Sequence, residues 1–450
     1  MNKRLKILIS AYACNPLAPA DSYPGEDIVG WNLVRELAKF YKLTAITRSY
    51  NKTNIEKVLR TDSLKNIEFH YIELSKIFKI LKKNYFGIRI YYWFWQIKAY
   101  LVAKRLIKKQ KFDIAHQVTF NNDWTPSYIG AYLNIPFIWG PAGGGQKVPR
   151  AFVGELRLKN RFKEITRSVF QEFWRYTPTR IIGMKKAKAV LVCNDETRKK
   201  VERFNKNVYH FPVNGISRRD VEFRGSSLEF SAHTNFSNRE TKKNSLPKHQ
   251  TLNTKLSYPR SISPKFKVLT SGRFTYWKAF HLAVKAFAKF HRKFPASEFE
   301  IVGFGTEKLR IKEIIKRHNL ENCVKLTPWL PRSEVLNKMR KSHVFLYASL
   351  REGGGAVIVE AMASGLPVIC LDLAGPGFHI KSEWGIKIKP ENPGYVVEEM
   401  AKALEKLYLD DKLRIQMGIN ARKRAEEYYL WEHLGERLQE IYKEVLHIRD

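Results

Sequence analysis

Short runs of Ile, Val and Leu recur along the chain, spaced so that one helix fits between successive runs. In the first half they are Lys6–Ser10, Leu43–Thr47, Ile114–Val118, Pro136–Gly140 and Ala189–Cys193, and Ile28–Lys39 carries the spacing of a helix with one apolar face. Such alternation predicts an α/β fold built on a parallel sheet. Between about Ile216 and Pro264 the pattern gives way to Ser, Thr, Asn, Lys, Arg and Pro, which predicts a mobile linker or insertion. It resumes at Phe266–Thr270, Glu298–Val302, Val324–Thr327, Val344–Tyr347 and Pro367–Leu371, with helical spacing over Ala279–Phe290 and Glu334–Lys341. From about Pro393 to Ile448 the spacing is helical. The expected organisation is a first domain over 1–215, a polar segment over 216–264, a second domain over 265–420, and a C-terminal helix within 421–450 that packs back toward the first domain.

Composition adds the question of a partner. A chain of 450 residues with 44% hydrophobic content can bury two cores of ordinary size. Its 80 Lys and Arg against 43 Asp and Glu leave +37, which calls for an anionic partner such as a membrane surface, a nucleic acid or an acidic glycan. Four scattered cysteines (Cys14, Cys193, Cys323, Cys370) form no C-x-x-C pair, which fits a reducing, cytoplasmic setting. Met1-Asn2-Lys3-Arg4 precedes an apolar run too short for a signal peptide, and no run reaches the ~20 apolar residues of a membrane span. Membrane contact is therefore expected to be peripheral.

Two segments of the second half carry candidate chemistry. In Ser271-Gly272-Arg273-Phe274-Thr275-Tyr276-Trp277-Lys278 a strand ends in Gly and two cations follow, a fork and a point charge suited to the two phosphates of a diphosphate. Surface charge in a very basic chain explains them as well. In Ser349-Leu350-Arg351-Glu352-Gly353-Gly354-Gly355-Ala356 a strand runs into a glycine turn that opens a helix, where free amides favour an anion. Glu352 before the turn and Glu360 within the helix can face one cleft and accept hydrogen bonds from sugar hydroxyls. A tightly packed βα turn with two solvated acids is the plainer alternative. Gly303-Phe304-Gly305 begins like a dinucleotide fingerprint but meets Lys308 where the third glycine belongs. Walker A, H-E-x-x-H and Asp-x-Asp patterns are absent, so no metal is expected.

Over Phe266 to about Gly377 the sequence resembles the retaining GT-B glycosyltransferases of family 4, also called group 1. The resemblance rests on Gly272-Arg273 with Lys278, Ile301-Val302-Gly303-Phe304-Gly305, Val324-Lys325-Leu326, and Glu352-x7-Glu360 running into Glu-Ala-Met-Ala-Ser-Gly-Leu-Pro-Val. It implies two Rossmann-like domains facing each other across a cleft and a nucleotide-sugar donor (UDP- or GDP-sugar), with no other cofactor. By the same resemblance Arg273 and Lys278 hold the donor diphosphate, Glu352 and the amides of Gly353, Gly354, Gly355 and Ala356 hold the transferred sugar, and Glu360 binds the ribose. The acceptor would be a glycan or a lipid-linked hydroxyl of surface polysaccharide or glycolipid synthesis.

The first half departs from that pattern. Relatives often carry paired glycines near the N-terminus, whereas only Gly25 occupies that region here. Many also carry Asp-x-x-His-x-His, and Asp113-Ile114-Ala115-His116-Gln117-Val118 places Val118 where the second His belongs. His116, Thr119, Asn121 or Asn122 is then expected to act near the sugar, with a buried structural role the alternative for His116. From Lys76 to Lys111 eleven Lys or Arg and no acid alternate with aromatics including Trp93 and Trp95. This suits an anionic membrane interface at the inner face of a membrane, a single-stranded nucleic acid, or the core face of an ordinary helix. Membrane is favoured over nucleic acid because no RNP-like module is present. A non-catalytic, basic membrane- or nucleic-acid-binding protein on a degenerate GT-B fold is the competing class.

Overall fold

The computed structural model describes residues 4–17, 24–61, 64–80, 85–222 and 265–447. Two parallel sheets form its frame. The first has seven strands, β1 (Lys6–Ser10), β2 (Lys42–Arg48), β3 (Ile67–Ile72), β4 (Ile114–Gln117), β5 (Phe137–Ala142), β6 (Ala189–Val192) and β7 (Val208–His210), in the order β3-β2-β1-β4-β5-β6-β7. The second has six, β8 (Phe266–Ser271), β9 (Ser297–Val302), β10 (Val324–Thr327), β11 (Val344–Tyr347), β12 (Val368–Leu371) and β13 (Gly385–Ile388), in the order β10-β9-β8-β11-β12-β13. Both orders reverse direction once, between β1 and β4 and between β8 and β11. Ligands of doubly wound sheets bind at the carboxyl ends of the strands flanking such a reversal. The central strands are buried on both faces, as their near-continuous Ile, Val and Leu content requires.

The chain crosses between the sheets twice, at one place. Ile216 pairs with Leu430 as an isolated parallel bridge, the Ile216 amide donates to Tyr429 O at 2.8 Å, and the Trp431 amide donates to Ile216 O at 3.1 Å. Beyond the crossing, the helix Trp431–Val445 returns to the first sheet, where Trp431, Leu434, Leu438, Ile441 and Tyr442 join the core beside Leu33 and Leu37 of the helix Pro24–Phe40. Of the segment expected to be polar and mobile, 216–222 holds this crossing and a short helix, Arg218–Glu222. Residues 223–264 lie outside the described part.

The basic aromatic stretch requires a correction. The helix Tyr85–Lys109 buries Tyr91, Tyr92, Trp95, Ala99, Ala103 and Leu106, a 3.6-residue repeat that seals one face of the first sheet. Trp95 is fully buried against Tyr12 and Tyr92, and Trp93 packs among Phe94, Tyr128 and Trp174. The two tryptophans expected to enter a bilayer are thus packing residues. Among the described residues no helix is long and apolar enough to cross a membrane.

Candidate active site

At the carboxyl end of β8 the chain turns through Gly272 and Arg273, and a single 3-10 turn, Tyr276–Lys278, leads into the helix Phe280–Lys293. The neighbouring β11 runs through Glu352 and the three glycines into the helix Ala356–Ala363. Gly355 caps that helix in the left-handed region (φ +64°), which glycine enters without steric cost, and no side chain caps the first amides.

The two loops meet at one carboxylate. The Lys278 ammonium donates to both Glu352 Oε2 and the Tyr347 hydroxyl, and Tyr347 in turn donates to Glu352 Oε2 at 2.7 Å. Burial works against ionisation of Glu352, yet the Lys278 charge and hydrogen bond, with the Tyr347 hydroxyl and the Gly355 amide, outweigh it and hold the carboxyl below its usual range. Burial and then the Glu352 charge push the Tyr347 phenol far up, so it stays a donor. Arg273 is lowered by burial against the opposing pull of Glu352, so its guanidinium belongs to the same electrostatic unit. Arg273, Lys278 and Glu352 are therefore together. Tyr347 was missed in the sequence, where a strand-terminal tyrosine gives no sign of the carboxylate it will face.

Glu360 stands on the same helix and accepts from Arg332 Nε at 2.6 Å, while the other edge of Arg332 grips Asp220 at 2.5 and 3.1 Å. Arg332 and Asp220 are 112 residues apart, and one Arg among 80 cations carried no signal.

The first domain supplies the facing wall, through the glycines after β5 and the residues after β6. Asn194 Nδ2 donates to Gly353 O at 2.9 Å while its Oδ1 caps the helix Asp195–Val201. A Cβ on Gly353 would lie 3.3 Å from the Gly144 amide nitrogen. One on Gly354 would fall 2.0 Å from Val213 Cγ2 and 2.5 Å from Asn214 Nδ2, so only glycine fits between the domains there. The Gly354 carbonyl accepts from His379 Nε2 at 2.5 Å, and His379 Nδ1 accepts from Tyr429.

The loop at 143–146 is itself held by the buried polar face of the helix Leu158–Arg175. Arg167 donates to the carbonyls of Gly144 (3.2 Å) and Gln146 (2.8 Å), and Gln171 donates to Gly144 at 3.2 Å. Glu164 of this helix accepts from Arg351 and from the Tyr276 hydroxyl at 2.9 Å, which ties the first domain to the loops after β8 and β11.

His116 does not join this group. It is fully buried on β4, where Nε2 donates to Gly140 O at 2.7 Å and Nδ1 accepts from Tyr442 at 2.6 Å. Desolvation lowers its pKa to about 4, so it is a neutral structural histidine with both nitrogens engaged. The residues weighed beside it are also largely engaged within their own domain. Thr119 accepts from the Ala13 amide at 3.1 Å, Asn121 pairs with Gln117, and Asn122, with its amide turned to satisfy both ends, accepts from Arg89 and donates to Gly143. Gly25 lies in the first turn of the helix Pro24–Phe40, and a Cβ there would meet open space. Next to it Glu26 accepts from the Phe120 amide at 3.2 Å, its carboxyl raised by desolvation. Among the described residues no three His, Cys, Asp or Glu side chains gather as a metal ion would need.

Doubly wound sheets face each other across apposed glycine loops, and this architecture is that of a GT-B protein. A glycosyltransferase from Rickettsia africae ESF-5, 17% identical, covers 99% of both chains with a TM-score of 0.60. HepE of Anabaena in complex with UDP-glucose, 14% identical, covers 98% of this chain and all of that one with a TM-score of 0.55. Residues 259–424 match the family model of glycosyl transferases group 1, so the second domain is a group 1 glycosyl transferase domain. The gpi3 component of phosphatidylinositol N-acetylglucosaminyltransferase from Schizosaccharomyces pombe is 24% identical over 191 residues, 42% of this chain and 40% of that protein. The chain spans half or less of the length of the first curated relatives it matches.

Proposed function

We propose that this protein is an enzyme that transfers a sugar from a nucleotide diphosphate donor to an acceptor hydroxyl, with the donor seated on the second domain (265–420) and the acceptor on the first (1–215). The observation that carries the reading is the shared contact of Lys278, Tyr347 and Glu352 beside an uncapped helix N-terminus, directly opposite a second glycine loop. In this reading Arg273, Lys278 and the amides that open the helix at Ala356 hold the diphosphate. Glu352 and the amides of Gly353 and Gly354 hold the sugar, and Glu360 takes the ribose hydroxyls through the carboxylate that Arg332 orients.

Transfer breaks the bond between the anomeric carbon and the phosphate oxygen, and the electron pair leaves with the diphosphate. Charge develops on that oxygen, where the two cations and the helix amides stabilise it most. The acceptor oxygen bonds to the anomeric carbon, and its proton passes to the departing phosphate. The family resemblance supports retention of configuration. UDP is the favoured nucleotide because HepE, of the same fold, is known in complex with UDP-glucose. A lipid-linked or surface-glycan acceptor at the inner face of a membrane agrees with the net charge of +37 and with the lipid named in the Schizosaccharomyces pombe relative.

A panel of UDP-, GDP- and ADP-sugars, followed by calorimetry and nucleotide release, tests the reading. One donor should bind saturably and release its nucleotide only when acceptor is present. Absence of binding by every donor would overturn it in favour of a non-catalytic binding protein.

A further inference from the structure

The helix Leu158–Arg175 is built inside out. Its polar residues Glu164, Arg167, Gln171 and Arg175 are the buried ones, while Leu158, Phe162, Ile165, Val169 and Phe173 are exposed. Leu158 retains 83% of its surface, Phe162 69% and Phe173 71%. Steps of 4, 3, 4 and 4 residues keep the five on one stripe, roughly 22 Å long at helical rise. Single exposed apolar residues are ordinary on soluble proteins, but a continuous row along a helix marks a surface that something else covers. The buried face is accounted for, since it holds the Gly144 loop and reaches Arg351 and Tyr276. The exposed face has no such role within the described residues.

We propose that this face seats the protein on an anionic lipid bilayer. The charge beside the stripe decides the occupant. Lys159, Arg161 and Lys163 are exposed, and at 100° per residue they flank the stripe on both sides, Lys159 and Lys163 on one and Arg161 on the other. That is the arrangement of an interfacial helix, with apolar side chains entering the acyl boundary and cations at the headgroups. The one acid bordering the stripe, Glu172, is engaged by Arg175 and Lys147. A second copy of the chain is a poor occupant, because pairing the stripe with itself brings these cations together in a protein of charge +37. The helix also ties the surface to the cleft, because the turns that would lie on lipid are those whose inner side grips the Gly144 loop. The site is separate from the donor site, so it stands or falls independently of sugar transfer.

Co-sedimentation with vesicles of phosphatidylcholine and phosphatidylglycerol (3:1), with pure phosphatidylcholine as comparator, reads the proposal directly. Wild type should bind the anionic vesicles, less so at high salt but not to zero. F162E/F173E should bind at least tenfold more weakly, F162L/F173L should bind as wild type, and UDP binding by calorimetry should be unchanged in both. Two results would overturn the proposal. One is F162E/F173E binding within twofold of wild type. The other is a wild-type dimer in analytical ultracentrifugation that ignores vesicles and that F162E/F173E dissociates, which would make the occupant a second copy.

Discussion

Replacing Lys278 with alanine removes the ammonium shared by Glu352 and Tyr347. Breaking a buried ion pair from one side costs about 3–5 kcal/mol. Here Glu352 keeps 23% of its side-chain surface accessible, and the Tyr347 hydroxyl and Gly355 amide remain, so about 2 kcal/mol is expected. For a domain of this size that lowers the melting temperature of the second domain by about 4–8 °C. The loss should also depend on pH. In the wild type the folded pKa of Glu352 is depressed, so its contribution to stability is present above the unfolded value and lost as pH falls through the folded one. Without Lys278, desolvation dominates and the folded pKa moves above the unfolded value. The carboxylate then destabilises at neutral pH and ceases to do so once protonated. Melts of wild type, K278A, E352Q and K278A/E352Q at pH 5 and pH 7.5 test both points. The double variant should be more stable at pH 7.5 than the sum of the single losses allows, and the K278A deficit should shrink at pH 5. Additivity within about 0.5 kcal/mol, or a deficit independent of pH, would refute the reasoning.

Three further outcomes are expected. Glu360→Ala should weaken nucleoside diphosphate binding about tenfold by calorimetry through the lost ribose contact, and an unchanged affinity would remove that assignment. Gly354→Ala places a methyl group 2.0 Å from Val213 Cγ2, so overpacking should cost about 1–3 kcal/mol and move the domains apart, visible as a larger radius of gyration in small-angle scattering. The folded pKa of about 4 at both His116 and His379 lies below their ordinary 6.5, so the unfolded chain binds protons that the folded one refuses. Stability should therefore fall as pH drops from about 6.5 toward 4, by at most roughly 3 kcal/mol per histidine, and H116F should lose less across that window than wild type.

What the sequence disclosed follows from what burial does to a strand. Strands enclosed on both faces must be apolar throughout, so β1, β6, β11 and β12 read directly as apolar runs rich in Ile, Val and Leu. β3 (IEFHYI) and β13 (GIKI) lie at sheet edges and carry polar residues, and β7 is an edge strand of only three residues, so none of them was marked by an apolar run. That Arg273, Lys278 and Glu352 come together was legible because they stand on local turns marked by glycines at the ends of apolar strands. Contacts made across the fold were not. Asn194 on Gly353, Arg332 on Glu360 and Tyr442 on His116 join positions 159, 28 and 326 residues apart. His116 misled because a histidine ending a parallel strand has the same one-dimensional context whether its ring enters a cleft or a core. The basic aromatic stretch misled in the opposite sense, since its rings repeat at core spacing. The outward apolar row lay in Leu158–Arg175, whose helical face could be assigned only once the Gly144 loop was seen to claim the polar side.

The crossing at Ile216 and Leu430 makes the second sheet a contiguous insertion between β7 and the last helix of the first domain. Leu434, Leu438, Ile441 and Tyr442 complete the first core, and His116 waits for Tyr442 to supply its second hydrogen bond. On a ribosome the chain emerges from its N-terminus, so the inserted domain has all its strands in hand while the first still shows water the face that Trp431–Val445 will cover. The domain begun first therefore waits on the helix Trp431–Val445, and a chain cut before Trp431 would carry a complete second domain beside an open first one.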